Sequence, residues 1–126
     1  MSGPVVGIGM RPGALPGDLA ELVARLERAV GTPLRRFATL DRRVADVTAA
    51  LRSCRPEAVV EGVAAEVLAA VEVPHPSAVV GAAVGTGSVA EAAALAVAAG
   101  TGRAKLLVPK LTGSGVTGAV AVAEEE

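Results

Sequence analysis

Aromatic side chains are almost missing from this chain of 126 residues: Phe37 is the only one, with no Trp and no Tyr. That excludes a binding face built on stacking, whether for single-stranded nucleic acid or for sugar rings. The core has to be made of Val, Leu and Ala, and such small side chains imply close packing between elements. Cysteine is as scarce. Cys54 stands alone, so neither an intramolecular disulfide nor a cysteine-built zinc site is available. His75 is the single histidine, and no second one can share a metal with it; no metal site is expected. An excess of charge of either sign is also lacking. Lys and Arg number 12 against 13 Asp and Glu, a net charge of -1, which leaves no electrostatic footprint for nucleic acid or an anionic membrane. The longest apolar runs are Ala-rich and broken by Glu or Gly, too short to span a bilayer. The Met-Ser-Gly-Pro start shows no basic region ahead of an apolar stretch, so no secretory signal is read and a cytoplasmic location is expected.

What is present is hydrophobic patterning. Hydrophobic residues make up 52% of the chain, and its length suits one domain over residues 1–126, able to bury about two-thirds of its unfolded surface. Pro4 to Met10 reads as a buried strand entering a glycine turn, followed by a loop over 11–17. Asp18 is placed to cap a helix whose apolar positions Leu19, Leu22, Val23, Leu26 and Val30 recur at the helical period. Gly31 and Pro33 end it. Leu34 to Leu40 predicts a second strand, and Asp41 is placed to cap a second helix carrying Val44, Val47, Leu51 and Cys54 on one face. Residues 58–63 predict a third strand and 65–71 a short helix. Pro74-His75-Pro76 reads as a rigid connector, with a short helix from Ser77 through Val84. An alanine-rich helix follows over 89–99, then strands over 105–109 and 116–122. The turn between those two strands is too short for a crossover helix, so they are expected to pair antiparallel. Strands alternating with helices predict a three-layer α/β/α domain with a mixed, mainly parallel sheet of about five strands.

The chemistry-bearing residues are few. Gly7-Ile8-Gly9 invites a dinucleotide reading, but Pro12 stands where the third glycine belongs, and no Gly-Lys-Ser/Thr phosphate loop occurs; no cofactor is expected. Cys54 falls on an apolar stripe and reads as a core residue. The stretch Gly85-Thr86-Gly87-Ser88-Val89-Ala90-Glu91 predicts a helix start, with Ser88 as N-cap and Glu91 closing a capping box. Its free N–H groups and helix dipole suit an anion. Arg11 leaves the end of the first strand and Lys110 the end of the fourth. Ligands of α/β sheets gather outside the carboxyl ends of strands. Two cations and a helix start converging there would hold a polycarboxylate. The same residues also read as a capped core helix and solvated loop charges, and the residues alone leave both open.

Four stretches then line up in order: Val6-Gly7-Ile8-Gly9-Met10-Arg11, Pro76-Ser77, Gly87-Ser88-Val89-Ala90-Glu91-Ala92-Ala93-Ala94-Leu95, and Lys105-Leu106-Leu107-Val108-Pro109-Lys110 with Val116-Thr117. Together they resemble the CobE family, which is similar to the C-terminal domain of the cobalamin-biosynthesis protein CbiG. Met10 stands where that family often has Cys, Asp41-Arg42-Arg43 where Asp-x-Lys is usual, and Gly118 where Ala is more frequent. The resemblance implies a role in building the corrin ring of vitamin B12, with a precorrin intermediate as ligand. The residues expected to bind that ligand class are Gly9, Arg11, Gly87, Ser88, Lys110 and Thr117. A carrier or accessory protein is the first reading. A hydrolase acting on a precorrin lactone or side chain, with Glu91 or His75 as acid/base, is the second. A module docking on another cobalamin-pathway enzyme is the third.

Overall fold

The computed structural model describes residues 3–71, 86–100 and 102–124. Five strands form one sheet: β1 (Val5–Met10), β2 (Arg36–Leu40), β3 (Val59–Val63), β4 (Ala104–Thr112) and β5 (Val116–Ala123). Its order is β3-β2-β1-β5-β4. β1 pairs in parallel with β2, and β2 with β3, whereas β5 runs antiparallel to both β1 and β4. Four strands thus share one direction and β5 alone opposes them, as the short turn before it requires.

Two helices cover one face: α1 (Pro16–Val30) and α2 (Val44–Leu51). Leu19, Leu22, Val23 and Leu26 of α1, with Val47 and Leu51 of α2, bury against Val6, Ile8, Phe37, Val116 and Val120 of the sheet. The other face carries α3 (Ala65–Ala70) and α4 (Thr86–Ala99). There Val89, Ala92, Ala93, Ala94 and Ala98 pack on Val5, Ala38, Leu40 and Ala121. The result is the expected three-layer α/β/α arrangement with a mixed sheet.

Several local expectations are corrected by what the backbone does. Gly7 and Gly9 lie inside β1 and make no turn. An added Cβ at Gly7 would lie 1.8 Å from the Ala90 carbonyl oxygen and 2.7 Å from the Ala94 nitrogen. The missing side chain is what lets α4 lie directly on the strand. Helix α1 begins at Pro16, so Asp18 is its third residue and its Oδ2 accepts from the Leu15 N–H at 3.3 Å. Proline suits that first position because its absent N–H would have no helical partner. Gly31 closes the helix with φ 90°, as expected. β2 starts at Arg36 and not at Leu34. Asp41 opens a 3₁₀ turn, Asp41–Arg43, ahead of α2 and caps nothing with its side chain. β4 continues through Pro109 to Thr112, which an edge strand with register shifts between 106 and 111 tolerates. The predicted connector at 74–76 and helix at 77–84 lie outside the described residues.

Candidate functional site: a cleft where the first two strands end

Because β1, β2, β3 and β4 point the same way, their carboxyl ends gather at one end of the sheet. Helix α4 starts at that end. Val89, near its beginning, lines a cleft of about 110 Å³ with Gly9, Met10, Arg11 and Pro12 from the end of β1 and the residues after it. Thr39, Leu40, Arg42 and Arg43 from the end of β2 and the following turn complete the lining. The floor is tied together by Thr39, whose buried hydroxyl donates to the Ile8 carbonyl at 2.7 Å. The backbone of Arg11 is held on both sides: its N–H donates to the Gly115 carbonyl at 2.9 Å, and its carbonyl accepts from Ala14 at 3.1 Å.

Around this cleft the sequence-predicted residues divide. Gly9 and Arg11 line it. Thr117, buried on β5, is the register partner of Gly9 and, on its other side, of Thr112. Gly87 and Ser88 belong to the first turn of α4, immediately before Val89. The helix starts at Thr86, so Ser88 is a helical residue and not the N-cap that the capping box required; its side chain lies outside the described residues. Lys110 sits on the edge strand β4, separated from β1 by β5. Two strand spacings put it about 10 Å from the Arg11 strand. His75 lies outside the described residues.

Glu91 has a different setting from the one its spacing predicted. Its side chain is fully buried in the α4–sheet interface, and Oε2 accepts from the backbone N–H of Lys110 at 3.1 Å. Lys110 follows Pro109 in the stretch where the β4–β5 register shifts, and a bulge takes backbone groups out of the ladder. Glu91 satisfies one of them, fastening α4 to the edge strand beside the cleft. An acid at this place was visible in the sequence, but its partner 19 residues away was not.

The guanidiniums of Arg42 and Arg43 are cleft residues that sequence reasoning missed as a site. The available signal was their place directly after the second strand. Arg43 is held by Asp46, Nη1 to Oδ2 at 3.1 Å, while Arg11 and Arg42 are exposed. Cys54 is half-buried against the core, as expected, and burial pushes its thiol above the usual range; it is no ready thiolate. Among the described residues no group of three His, Cys, Asp or Glu side chains could hold a metal, and no helix is long and apolar enough to cross a membrane.

Comparison with known proteins adds a family and a fold. Residues 4–121 match the family model described as "Cobalamin synthesis G C-terminus". No curated protein matches. Among solved structures, the chain is similar to CobE, described as a protein from the cobalamin (vitamin B12) biosynthetic pathway. The two share 32% identity with a TM-score of 0.78, over 98% of this chain and 92% of that one. It is similar as well to the cobalamin biosynthesis protein chiG from Agrobacterium tumefaciens, at 30% identity and TM-score 0.69, over 98% of this chain and all of that one. A cobalamin biosynthesis protein G homolog from Sulfolobus solfataricus shares the fold at 20% identity and TM-score 0.68; the match takes in 37% of that longer chain.

Proposed function

The chain belongs to the cobalamin synthesis G C-terminus family, and from that membership we propose that it binds a corrin-ring intermediate of cobalamin biosynthesis, as a carrier or accessory protein. The observation that carries the reading is the cleft where β1 and β2 end, with Arg11 and Gly9 beside the start of α4. Precorrins are large rings bearing many carboxylates. Guanidinium groups and a helix start both favour such anions.

The size of the cleft narrows the mode of binding. At about 110 Å³ it is well below the roughly 300–1,000 Å³ of pockets that enclose a small molecule. It takes a carboxylate arm, and the ring lies across the mouth. Lys110, about 10 Å from the Arg11 strand, then meets a second arm of the same ring, with Thr117 on the strand between them and the first turn of α4 at Gly87 and Ser88 as a further contact. Glu91 supports this reading by its burial. A carboxylate enclosed in a helix–sheet interface and bonded to the Lys110 N–H holds the wall of the site in place, which favours binding over acid/base chemistry at that residue.

The test is a titration of the purified protein with hydrogenobyrinic acid, followed by the absorbance of the ring. Saturable binding at tens of micromolar or tighter is expected, weakened about tenfold by Arg11→Ala or Lys110→Ala, the scale of one charge-assisted contact. Absence of binding in that range would overturn the assignment, and so would variants that bind like the parent protein.

A further inference from the structure

We propose that Arg42, facing the same cleft as Arg11 and backed by Arg43, is a specificity-determining residue. It selects ligands whose peripheral side chains are free carboxylates over the same ring with those groups neutralised. The inference rests on the polycarboxylate reading above and extends it to a residue and a selection that reading does not contain.

The charge inventory of the cleft is one-sided. Arg11, Arg42 and Arg43 line it, and none of the described residues lining it is a carboxylate, in a chain whose net charge is -1. Several arginines elsewhere are matched: Arg35 with Glu57, Arg36 with Glu61, Arg55 with Glu27, and Arg25 with the Thr112 carbonyl. Arg43 itself has Asp46. Among the described residues, Arg11 and Arg42 make no side-chain hydrogen bond or ion pair. The depression on the other side of Arg11 contains an acid, Asp46, whereas the cleft beside α4 has arginines and no acid in its described lining. Three cations around one small space repel one another until an anion enters it.

Placement of these groups is rigid. Arg11 leaves β1, and Arg42 and Arg43 leave β2 through a 3₁₀ turn. The two strands are neighbours in a parallel ladder, pinned near its end by the Thr39 to Ile8 hydrogen bond. Asp46, one turn into α2, fixes the Arg43 guanidinium, which leaves the exposed Arg42 as the donor fork at the cleft that is unpaired among the described residues. A guanidinium matches a carboxylate with two parallel N–H donors, and an ester or amide cannot accept in the same charged mode. Lysine offers a point charge without the fork, so Arg42→Lys is not a neutral change.

The experiment titrates the full chain with hydrogenobyrinic acid and, separately, with its fully methyl-esterified form. The variants are Arg42→Gln, Arg42→Lys and, as a control of equal charge change, Arg28→Gln on the exposed side of α1. The parent protein is expected to prefer the acid. Arg42→Gln should lower affinity for the acid about tenfold and leave the ester within about twofold, Arg42→Lys should not restore it, and Arg28→Gln should behave like the parent. In parallel, citrate is titrated into isotope-labelled protein while the arginine Nε–Hε resonances are followed. Saturable shifts of the Arg42 and Arg11 signals are expected, and Arg42→Gln should abolish the Arg11 response. The selection is overturned if Arg42→Gln binds the acid like the parent, or if ester and acid bind alike. If neither ring binds while citrate still shifts Arg42, the corrin reading falls and the anion-binding role of Arg42 stands. If citrate leaves Arg42 unmoved, that role falls whatever the rings do.

Discussion

At Gly7 the first strand has no side chain, and the backbone of α4 occupies the space. The approach is so close that the Ala90 carbonyl oxygen would lie 1.8 Å from an added Cβ. Backbone on both sides means that nothing short of moving the helix relieves the clash, so Gly7→Ala is expected to destabilise by about 3 kcal/mol or more. Gly118 also faces a tight contact, but there the obstacle is the end of a side chain, Leu26 Cδ1 at 2.8 Å. A rotamer change relieves it, and Gly118→Ala should cost only about 1 kcal/mol. Urea midpoints of the two variants check the ordering, and equal losses would contradict it. Glu91 makes a second residue-scale case. Removing its carboxylate by Glu91→Ala takes the acceptor from the Lys110 N–H and should cost about 1–3 kcal/mol, whereas Glu91→Gln keeps an acceptor oxygen and should lose less. Thermal melts of the pair decide it: a Gln variant as unstable as the Ala variant would mean that the hydrogen bond to Lys110 is not what Glu91 contributes.

Elements are held to one another on the α1 face by a single acid. Glu27 on α1 accepts from the Leu34 N–H, just before β2, at 3.0 Å and from Arg55 Nε, after α2, at 2.8 Å. A second contact joins its other oxygen to Arg55 Nη2. One carboxylate therefore fastens three segments, and the Arg55 guanidinium holds its carboxyl below the ordinary value of 4.5, against the opposing effect of burial. A group whose pKa is depressed by folding adds stability above its unfolded pKa and loses it as pH falls through the folded value. The parent protein should thus lose stability more steeply than Glu27→Gln below about pH 4.5, the two curves converging at acid pH. Denaturant unfolding at a series of pH values measures this, and parallel curves would show that Glu27 is not the group titrating. In the sequence Glu27 lies off the apolar stripe of its helix, and that position says nothing of its partners. Its partners lie 7 and 28 residues away, a separation no periodicity reports.

At the scale of the whole molecule, the layers and the sheet were legible and the details at strand and helix ends were not. Leu19, Leu22, Val23 and Leu26 showed their common face in the helical period and are buried on it. The Ala-rich stretch from 89 onward was readable as a closely packed helix for the same reason. The short turn after β4 predicted the antiparallel pairing of β5. Helix starts were misread at Asp18, Asp41 and Ser88, all by the same physics. An acidic or hydroxyl side chain near a helix start suits several positions of the first turn as well as the cap itself. Tertiary packing then decides which of them is used. Of the site, Arg11 and Gly9 were readable from their place after an apolar run. Arg42 was not, because only the parallel pairing of β1 with β2 brings the ends of both strands to one cleft.

The sequence by itself determined the composition of the core, the alternation of elements and the family, since these depend on local period and on the order of short motifs. Tertiary structure alone decided that β5 enters between β1 and β4, that Gly7 receives a helix, that Glu91 serves the backbone of Lys110, and that three arginines share one small space. Those facts are contacts between residues distant in the chain, and their energy depends on distance and burial, which appear only once the sheet has closed.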